Sequence, residues 1–565
     1  MQGDKVISVL ASNGATSATP QAGAIVRWTG TQGTVLGAGS TASRTGAGTF
    51  SVTMSWTLAP SSEFALTAIP LHAAAPTRAT DLAVSVRDSA RGSVVALRSG
   101  PVSDLVGFRV WREVSGRREL LTPGLIAGPV LTTKAVLAGN DVGWEDRHPR
   151  VGASYVVESL HLDGHRRWTR ATWAAGPASP VAASLVADSS VLSSQAPSLR
   201  SGAAVIPVTK VAALNQSKQW ELAAGDAAKL VVSRAGLVRV PADSLFAAGI
   251  LPGVPATSVQ LFRNGRAIPR TVVAADGATL RSGDWVEFYG YGMDTRYSGS
   301  AVYWVTSSGG VGLDLRSLSA SAQPAGPATY LAATEVRERL TWFGAARNGD
   351  AEKFFGPAVL GQSLQRTLSL DGLDISGSGA RLEVALQGVL DTPHSVTLTV
   401  NGLAVGSLSF TGNAPSTASI ALPPGTLVPG DNVVGLSSSS DEDFSLEQYV
   451  RVIYPRFTTR GAGALDFTLE SGSSARLQGF DPARTRVLDI TDPDAPVQLV
   501  VQDAGGMAAV LATATGTRHL IAYLPEDAAA PDTVTRNRPS RWWAAQGADL
   551  IVLGPSGLFD AIQPL

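Results

Sequence analysis

Apolar and polar positions alternate with a period of two along most of this chain, in short runs broken by turn residues. Residues 50–56 (FSVTMSW), 64–71 (FALTAIPL), 107–113 (GFRVWRE), 154–162 (SYVVESLHL), 395–400 (SVTLTV) and 405–410 all follow it. This is the pattern of half-buried strands. Dipeptides with a left-handed preference sit between paired runs, at Asp163-Gly164, Asn264-Gly265 and Asn401-Gly402, and predict hairpins there. Two short strands are predicted around Ala235-Gly236, with Asp243 as the N-cap of a brief helix. Residues 449–457 alternate and close on Tyr454-Pro455, as an exposed strand running into a stop does. Residues 487–491 form another strand, ended by Asp492-Pro493 and Pro496. Residues 549–553 (DLIVL) differ: a continuous apolar run, a Gly-Pro-Ser-Gly turn and an amphipathic 558–562 predict a buried parallel strand feeding a helix.

Length and composition place this pattern in several domains. The chain has 565 residues, beyond the size at which one core keeps growing. Charged residues are only 16%, against 59 Gly and 33 Pro, which suits short strands and many turns. The fold class read from this is mainly β, a multidomain array of β-sandwich modules ending in the first βα unit of an α/β domain. A formal net charge of −1 gives no overall basic field, so nucleic acid is not an expected partner. No run reaches the roughly 18 apolar residues of a membrane span. The N-terminal MQGDKVISVLASNG lacks a basic region followed by an apolar core, so either export information is expected outside this chain or the chain is an internal piece. Cysteine is absent, which excludes disulfides, thiolate metal sites and a Cys nucleophile within these residues.

Motifs that carry chemistry are correspondingly scarce. No G-x-S-x-G elbow, phosphate loop, dinucleotide fingerprint or H-E-x-x-H helix occurs. The histidines are His72, His148, His161, His165, His394 and His519, none with an evident Ser-plus-acid or Cys partner in a shared motif. His161 and His165 are spaced for a metal only on a helix; with Asp163-Gly164 as a two-residue turn, His161 pairs with Arg166 and His165 with Leu162. A zinc site would also need further ligands, so a structural or solvent role is expected. Asp441-Glu442-Asp443 offers oxygens to calcium, although three consecutive acids after a serine run more often form a solvated loop. No other cofactor is expected, and no residue is assigned as catalytic, cofactor-binding or metal-binding. Trp56 is read as a core tryptophan in preference to a glycan-stacking one.

Larger patterns give the domain map. Residues 1–75 resemble a β-sandwich repeat of bacterial surface proteins. Residues 76–176 resemble a fibronectin type III sandwich, although Leu97-Arg98 stands where such modules carry a core tryptophan; Trp111 or Trp144 is expected to fill that volume. Residues 177–215, rich in Ser, Ala and Pro, read as a flexible linker. Four motifs then follow in order: Gly236-Leu237-Val238-Arg239-Val240, Asn264-Gly265-Arg266-Ala267-Ile268-Pro269, Gly283-Asp284-Trp285-Val286-Glu287-Phe288-Tyr289-Gly290, and Asp294-Thr295-Arg296-Tyr297-Ser298 with Tyr303-Trp304. Further on come Tyr454-Pro455-Arg456, Asp489-Ile490-Thr491-Asp492-Pro493 and Gly547-Ala548-Asp549-Leu550-Ile551. This series resembles the gingipain-type cysteine peptidases, a group that includes the type IX secretion sortase.

The resemblance implies a prodomain-like β region over 216–330, a jelly-roll-like sandwich over 331–460, a β segment over 461–530 and the start of a caspase-like catalytic domain over 531–565. It implies a non-catalytic N-terminal portion of a secreted or cell-surface cysteine endopeptidase, whose partners are protein or peptide substrates of the whole enzyme. The family's catalytic histidine and cysteine lie downstream of the first βα unit, so this chain is expected to be inactive alone. The alternative is a surface adhesin or carbohydrate-binding β-sandwich array, with cell-surface or glycan contacts.

Overall fold

A computed structural model describes residues 5–20, 24–32, 35–43, 55–60, 63–71, 83–89, 91–98, 104–131, 142–174, 198–204 and 214–319, then 329–540 apart from 350, 362, 439, 441, 442 and 513. The βα unit expected at 549–562 lies outside the described residues. The chain divides into two compact units, 1–185 and 186–565, and the regular elements described in both are almost all strands.

In the N-terminal unit, the first module forms a four-stranded antiparallel sheet in which Lys5–Asn13 lies between Val35–Ser43 and Glu63–Leu71. The second is a two-sheet sandwich. One sheet runs Arg117–Leu120, Leu105–Val114, Ser154–His161, Arg166–Arg170; the other runs Val142–Asp146, Gly92–Arg98, Ala83–Ser89, Thr172–Trp173. Its core sets Val84, Val86, Val95 and Leu97 against Phe108, Val110, Tyr155 and Val157, the inward half of each alternating run. Leu97 occupies the core position directly, and Trp144 packs beside it, partly buried. Trp111 faces the other way, with its ring N–H on Glu158 at 3.0 Å.

The hairpin after Ser154–His161 is one residue longer than expected. Leu160 pairs with Arg166, and His161 N–H donates to the His165 carbonyl. The loop is therefore Leu162-Asp163-Gly164, with Gly164 at φ 81°. A three-residue turn closed by a left-handed glycine is the next commonest solution after the two-residue turn.

The C-terminal unit is organised around the strand Phe444–Phe457. It lies between Thr329–Arg337 and Arg381–Gly388, in a sheet that also contains Ser198–Ala204, Ala358–Leu360 and Pro415–Ala421. A second sheet, Leu364–Leu370, Gly430–Ser438, Pro393–Val400, Leu403–Thr411, completes a sandwich. The exposed strand expected at 449–457 is thus the buried centre of the sheet: Val450, Val452 and Tyr454 are fully buried. Arg451, between Val450 and Val452, faces out of the core into an ion ladder. Arg451 pairs across the sheet with Glu335 at 2.5 Å and Glu383 at 3.0 Å. Pairing with Arg381–Gly388 ends at Ile453, so Pro455 lies past the end of that ladder while staying in register with Leu331 on the other side. Within the stretch read as a linker, Ser198–Ala204 pairs with Thr329–Arg337; residues 175–197 and 205–213 lie outside the described residues.

Residues 461–540 do not simply follow the sandwich. Leu465–Leu469, Val487, Leu499, Leu520 and Leu524 extend the sandwich's apolar core without a break. Thr533–Arg536 returns to pair with Ala228–Val232, beside Ala301–Thr306 and Gln260–Arg263. Val497–Leu499 takes Ser317–Leu318 as a parallel neighbour. The brief helix spans Ala242–Ala247, but Pro241 is its N-cap and Asp243 lies inside the first turn, making no side-chain cap bond. Proline, with φ preset and no N–H to satisfy, has displaced the expected cap.

The Asn401-Gly402 turn closes its hairpin with both residues left-handed, at φ 51° and 82°. Asn401 also donates to Thr426 O (3.0 Å) and Asn432 Oδ1 (2.9 Å) and accepts from Val433 N (2.9 Å). Asn401→Ala is expected to lose about 2–3 kcal/mol, combining the left-handed cost for a side chain that cannot bond with unsatisfied partners. Urea denaturation of the whole chain reads this, and a loss under about 0.5 kcal/mol would show the turn to be set by Gly402 alone.

Candidate functional site

The motif segments meet at one junction. The turn before Trp285–Gly290 is fixed by Gly283 (φ 87°) and by the Asp284 carboxylate, which accepts from the backbone N–H groups of Ala275 (2.9 Å) and Arg281 (2.7 Å). The strand then presents Tyr289 to a small apolar cluster with Leu237, Leu488, Ile490, Ile521 and Tyr523. Alternation sends Glu287 to the same face as Tyr289. Glu287 is 4% exposed and accepts from Arg239 Nε (2.8 Å), Trp285 Nε1 (3.0 Å) and Arg486 Nη1 (3.0 Å). At the other margin, Arg263 lies 3.8 Å over the Tyr291 ring and reaches Asp494 at 3.2 Å, which also accepts from the Tyr291 hydroxyl at 2.7 Å. In the Asp-Ile-Thr-Asp-Pro segment, Asp489 binds the Thr491 N–H (3.0 Å) and hydroxyl (2.7 Å) and Arg518 (2.7 Å). Burial pushes the Tyr303 and Tyr523 hydroxyls up to about 12 and those of Tyr289 and Tyr291 higher. All four stay neutral near pH 7, so the residues described at the junction are paired charges and neutral phenols.

Tyr454-Pro455-Arg456 serves a second structural point. The Tyr454 hydroxyl donates to Asp371 O (3.2 Å), and Arg456 bonds Asp371 O (3.0 Å) and the Tyr330 hydroxyl (2.7 Å). Pro455, Leu373, Ile375, Leu422 and Leu427 line a cleft of about 160 Å³. That is below the roughly 300–1,000 Å³ of ordinary small-molecule pockets.

Ser159, His161 and Asp104 form a relay with no counterpart in the sequence reading. Ser159 Oγ is 3.0 Å from His161 Nε2, and His161 Nδ1 is 2.9 Å from Asp104 Oδ1. The order is that of a hydrolytic triad, but Ser159 and His161 are 0% and 1% exposed. Nucleophile and base must reach a substrate atom at about 3 Å; this serine faces the module's interior and also donates to Arg167 O at 3.3 Å. The relay ties strands together. Its sequence signal was available, since Ser and His two apart on a strand share a face; the acid, 57 residues away from His161, had none.

The other candidates are also accounted for. His165 is exposed and pairs with Asp163 at 3.2 Å, so the zinc spacing does not bring it to His161. Asp443 is buried, taken up by His394 Nδ1 (2.7 Å) and Ser395 N (2.8 Å); Asp441 and Glu442 lie outside the described residues. His519 pairs with Asp466 at 2.5 Å. Trp56 is half-buried, donating to Ser8 Oγ at 3.1 Å. Among the described residues, no group of three His, Asp or Glu is arranged to hold a metal, and no helix is long and apolar enough to cross a membrane.

No protein-family model matches the chain, and no curated protein does. Among solved structures, dimeric latent PorU from Porphyromonas gingivalis aligns at 14% identity and TM-score 0.46, over 56% of this chain and 34% of its own. This chain therefore spans about a third of that protein's length. The carbohydrate-binding module CBM36, solved with calcium and xylotriose, aligns at 19% identity and TM-score 0.15, over 18% of this chain and 83% of its own. SGBP-B of a Bacteroides ovatus mixed-linkage glucan utilization locus, solved with a heptasaccharide, aligns at 11% identity and TM-score 0.11, over 67% of this chain and 96% of its own. All three scores are low, and none of them decides a function for this chain.

Proposed function

We propose that this chain is the N-terminal, non-catalytic portion of a secreted, gingipain-like cysteine endopeptidase, in which residues 216–540 form a single platform for the catalytic domain. The observation that carries the reading is the junction. Gly236–Pro241, Trp285–Gly290 and Arg486–Asp489 each hold one of the motifs by which the sequence resembles that family. Gly236 and Asp489 are 253 positions apart in sequence, yet Leu237, Glu287, Tyr289, Leu488 and Ile490 pack against one another or share ion pairs. Chance matches would have no reason to converge. Thr533–Arg536, the first strand of the 531–565 segment read as the start of the catalytic domain, pairs with Ala228–Val232 of the same platform.

Hydrolysis tests this directly. The pure chain is expected to leave casein and Arg- and Lys-ester substrates intact. The product of a reading frame extended past residue 565 is expected to cleave them and to be blocked by thiol-directed inhibitors. Thiol-sensitive turnover by the pure chain, or an extended product with no such turnover, overturns the proposal.

A further inference from the structure

The outward face of one sheet in the second module is aromatic and basic. Strand register places Arg118 beside Glu113 and Glu158 between Arg109 and Trp168. Trp111, two residues from Arg109, lies on the same face, opposite the Phe108 and Val110 side of the core. The rings of Trp111 and Trp168 are 5.7 Å apart, and the Arg118 guanidinium sits 4.8 Å over Trp168. Trp168 is 46% exposed. Arg166 and Arg170 flank it on its own strand.

Charge on this face does not balance. Among the described residues it holds Arg109, Arg118, Arg166 and Arg170 against Glu113 and Glu158. Both carboxylates are already shared. Glu113 pairs with Arg118 and Arg170, each at 3.3 Å, and Glu158 with Arg166 at 2.6 Å and the Trp111 ring N–H at 3.0 Å. The surplus is regional: residues 76–176 contain fourteen Lys and Arg against ten Asp and Glu, in a chain with 45 and 46 overall. A positive face in a near-neutral chain attracts an anionic partner.

We propose that this face docks an anionic polysaccharide, its acidic groups paired by the arginines and its pyranose rings stacked on Trp168 and Trp111. The guanidinium fork matches carboxylate, sulfate and phosphate geometry. An exposed indole beside it offers a flat apolar platform at little conformational cost. The face is one side of a five-stranded sheet, and its charged and aromatic residues are spread over four adjacent strands, which suits an extended polymer. Binding here neither requires nor excludes the peptidase reading.

The test uses the full chain at low salt, titrated onto immobilised polygalacturonate and heparin. Neutral dextran, duplex DNA and anionic phospholipid vesicles serve as the other arms. Binding to both anionic polysaccharides is expected, weakening as salt rises. Trp168→Ala and the double variant Arg118→Ser/Arg170→Ser are each expected to weaken it about tenfold or more, with unchanged melting temperature. Arg484→Ser, removing an exposed arginine of the other unit, is expected to bind as the parent does. The proposal is overturned by no binding to either polysaccharide, by equal binding to dextran, by binding to DNA or vesicles at least as tight, or by a Trp168→Ala variant that binds normally.

Discussion

Arg366→Ala is expected to lower the unfolding free energy of the chain by about 3–5 kcal/mol at neutral pH, because it strands a charge in the sandwich core. Glu447 lies on the central strand with its side chain fully buried, gripped by Arg366 Nε at 2.6 Å and Nη2 at 2.9 Å. Arg366 also reaches Glu338 at 2.5 Å, and its own side chain is only 9% exposed. Burial pushes the Glu447 carboxyl above the ordinary glutamate value; Arg366 opposes that, and Glu338 adds to it. Between the unfolded and the raised folded pKa, the native state holds a proton that the unfolded chain has released. Stability therefore falls as pH rises through that window and levels off above it. Removing Arg366 deletes the main opposing charge and raises the folded value further. The loss in Arg366→Ala should accordingly be largest at about pH 8 and shrink toward about pH 5, where Glu447 can neutralise itself by taking up a proton. Arg366→Met/Glu447→Leu, which removes both charges and keeps the volume, should lose less than Arg366→Ala alone. Urea unfolding across that pH range reads all three. A loss under about 1 kcal/mol, or one that does not vary with pH, would mean that Glu447 is solvated in a way its burial does not indicate.

The features legible in the sequence are those set by two to six neighbouring residues. Asn264-Gly265 and Asn401-Gly402 are hairpin turns with both residues left-handed, as those dipeptides require. The alternating runs at 107–113, 154–162 and 395–400 became strands with the apolar half inward, whereas Phe64 and Leu66 of the 64–71 run are exposed. What failed did so because a partner lay elsewhere. The 449–457 run looked half-exposed because Arg451 alternates with apolar residues, and only Glu335 and Glu383, on two other strands, explain a buried strand with charge on one side. Ser198–Ala204 has no apolar period of its own and is a strand because Thr329–Arg337 offers it an edge. Of the two tryptophans expected to fill the core volume, Trp144 packs against the core while Trp111 is turned outward to Glu158. Of the junction, the motifs were visible and their convergence was not: Glu287 and Arg486 are 199 residues apart, and no local signal pairs them.

If that junction makes 216–540 one cooperative body, Tyr289→Ala should be felt on both sides of it. Tyr289 is 6% exposed and packs among Leu237, Leu488, Ile490, Ile521 and Tyr523, with the Tyr291 ring 6.2 Å away. Deleting a buried aromatic ring costs about 3–5 kcal/mol when its surroundings cannot collapse. Here the cavity would open between strands from two distant stretches of chain, each already held in its own sheet, which limits collapse. Tyr289→Phe keeps the volume and should stay within about 1 kcal/mol of the parent. The stronger readout is where protection is lost. Hydrogen exchange in Tyr289→Ala should speed up together in Gly236–Pro241, Trp285–Gly290, Arg486–Asp489 and Arg518–Tyr523, since a cooperative body opens as a unit. Faster exchange confined to Gly236–Pro241 and Trp285–Gly290, with the other two strands as protected as before, would show two bodies that merely touch. The platform reading, which rests on their being one, would then fail.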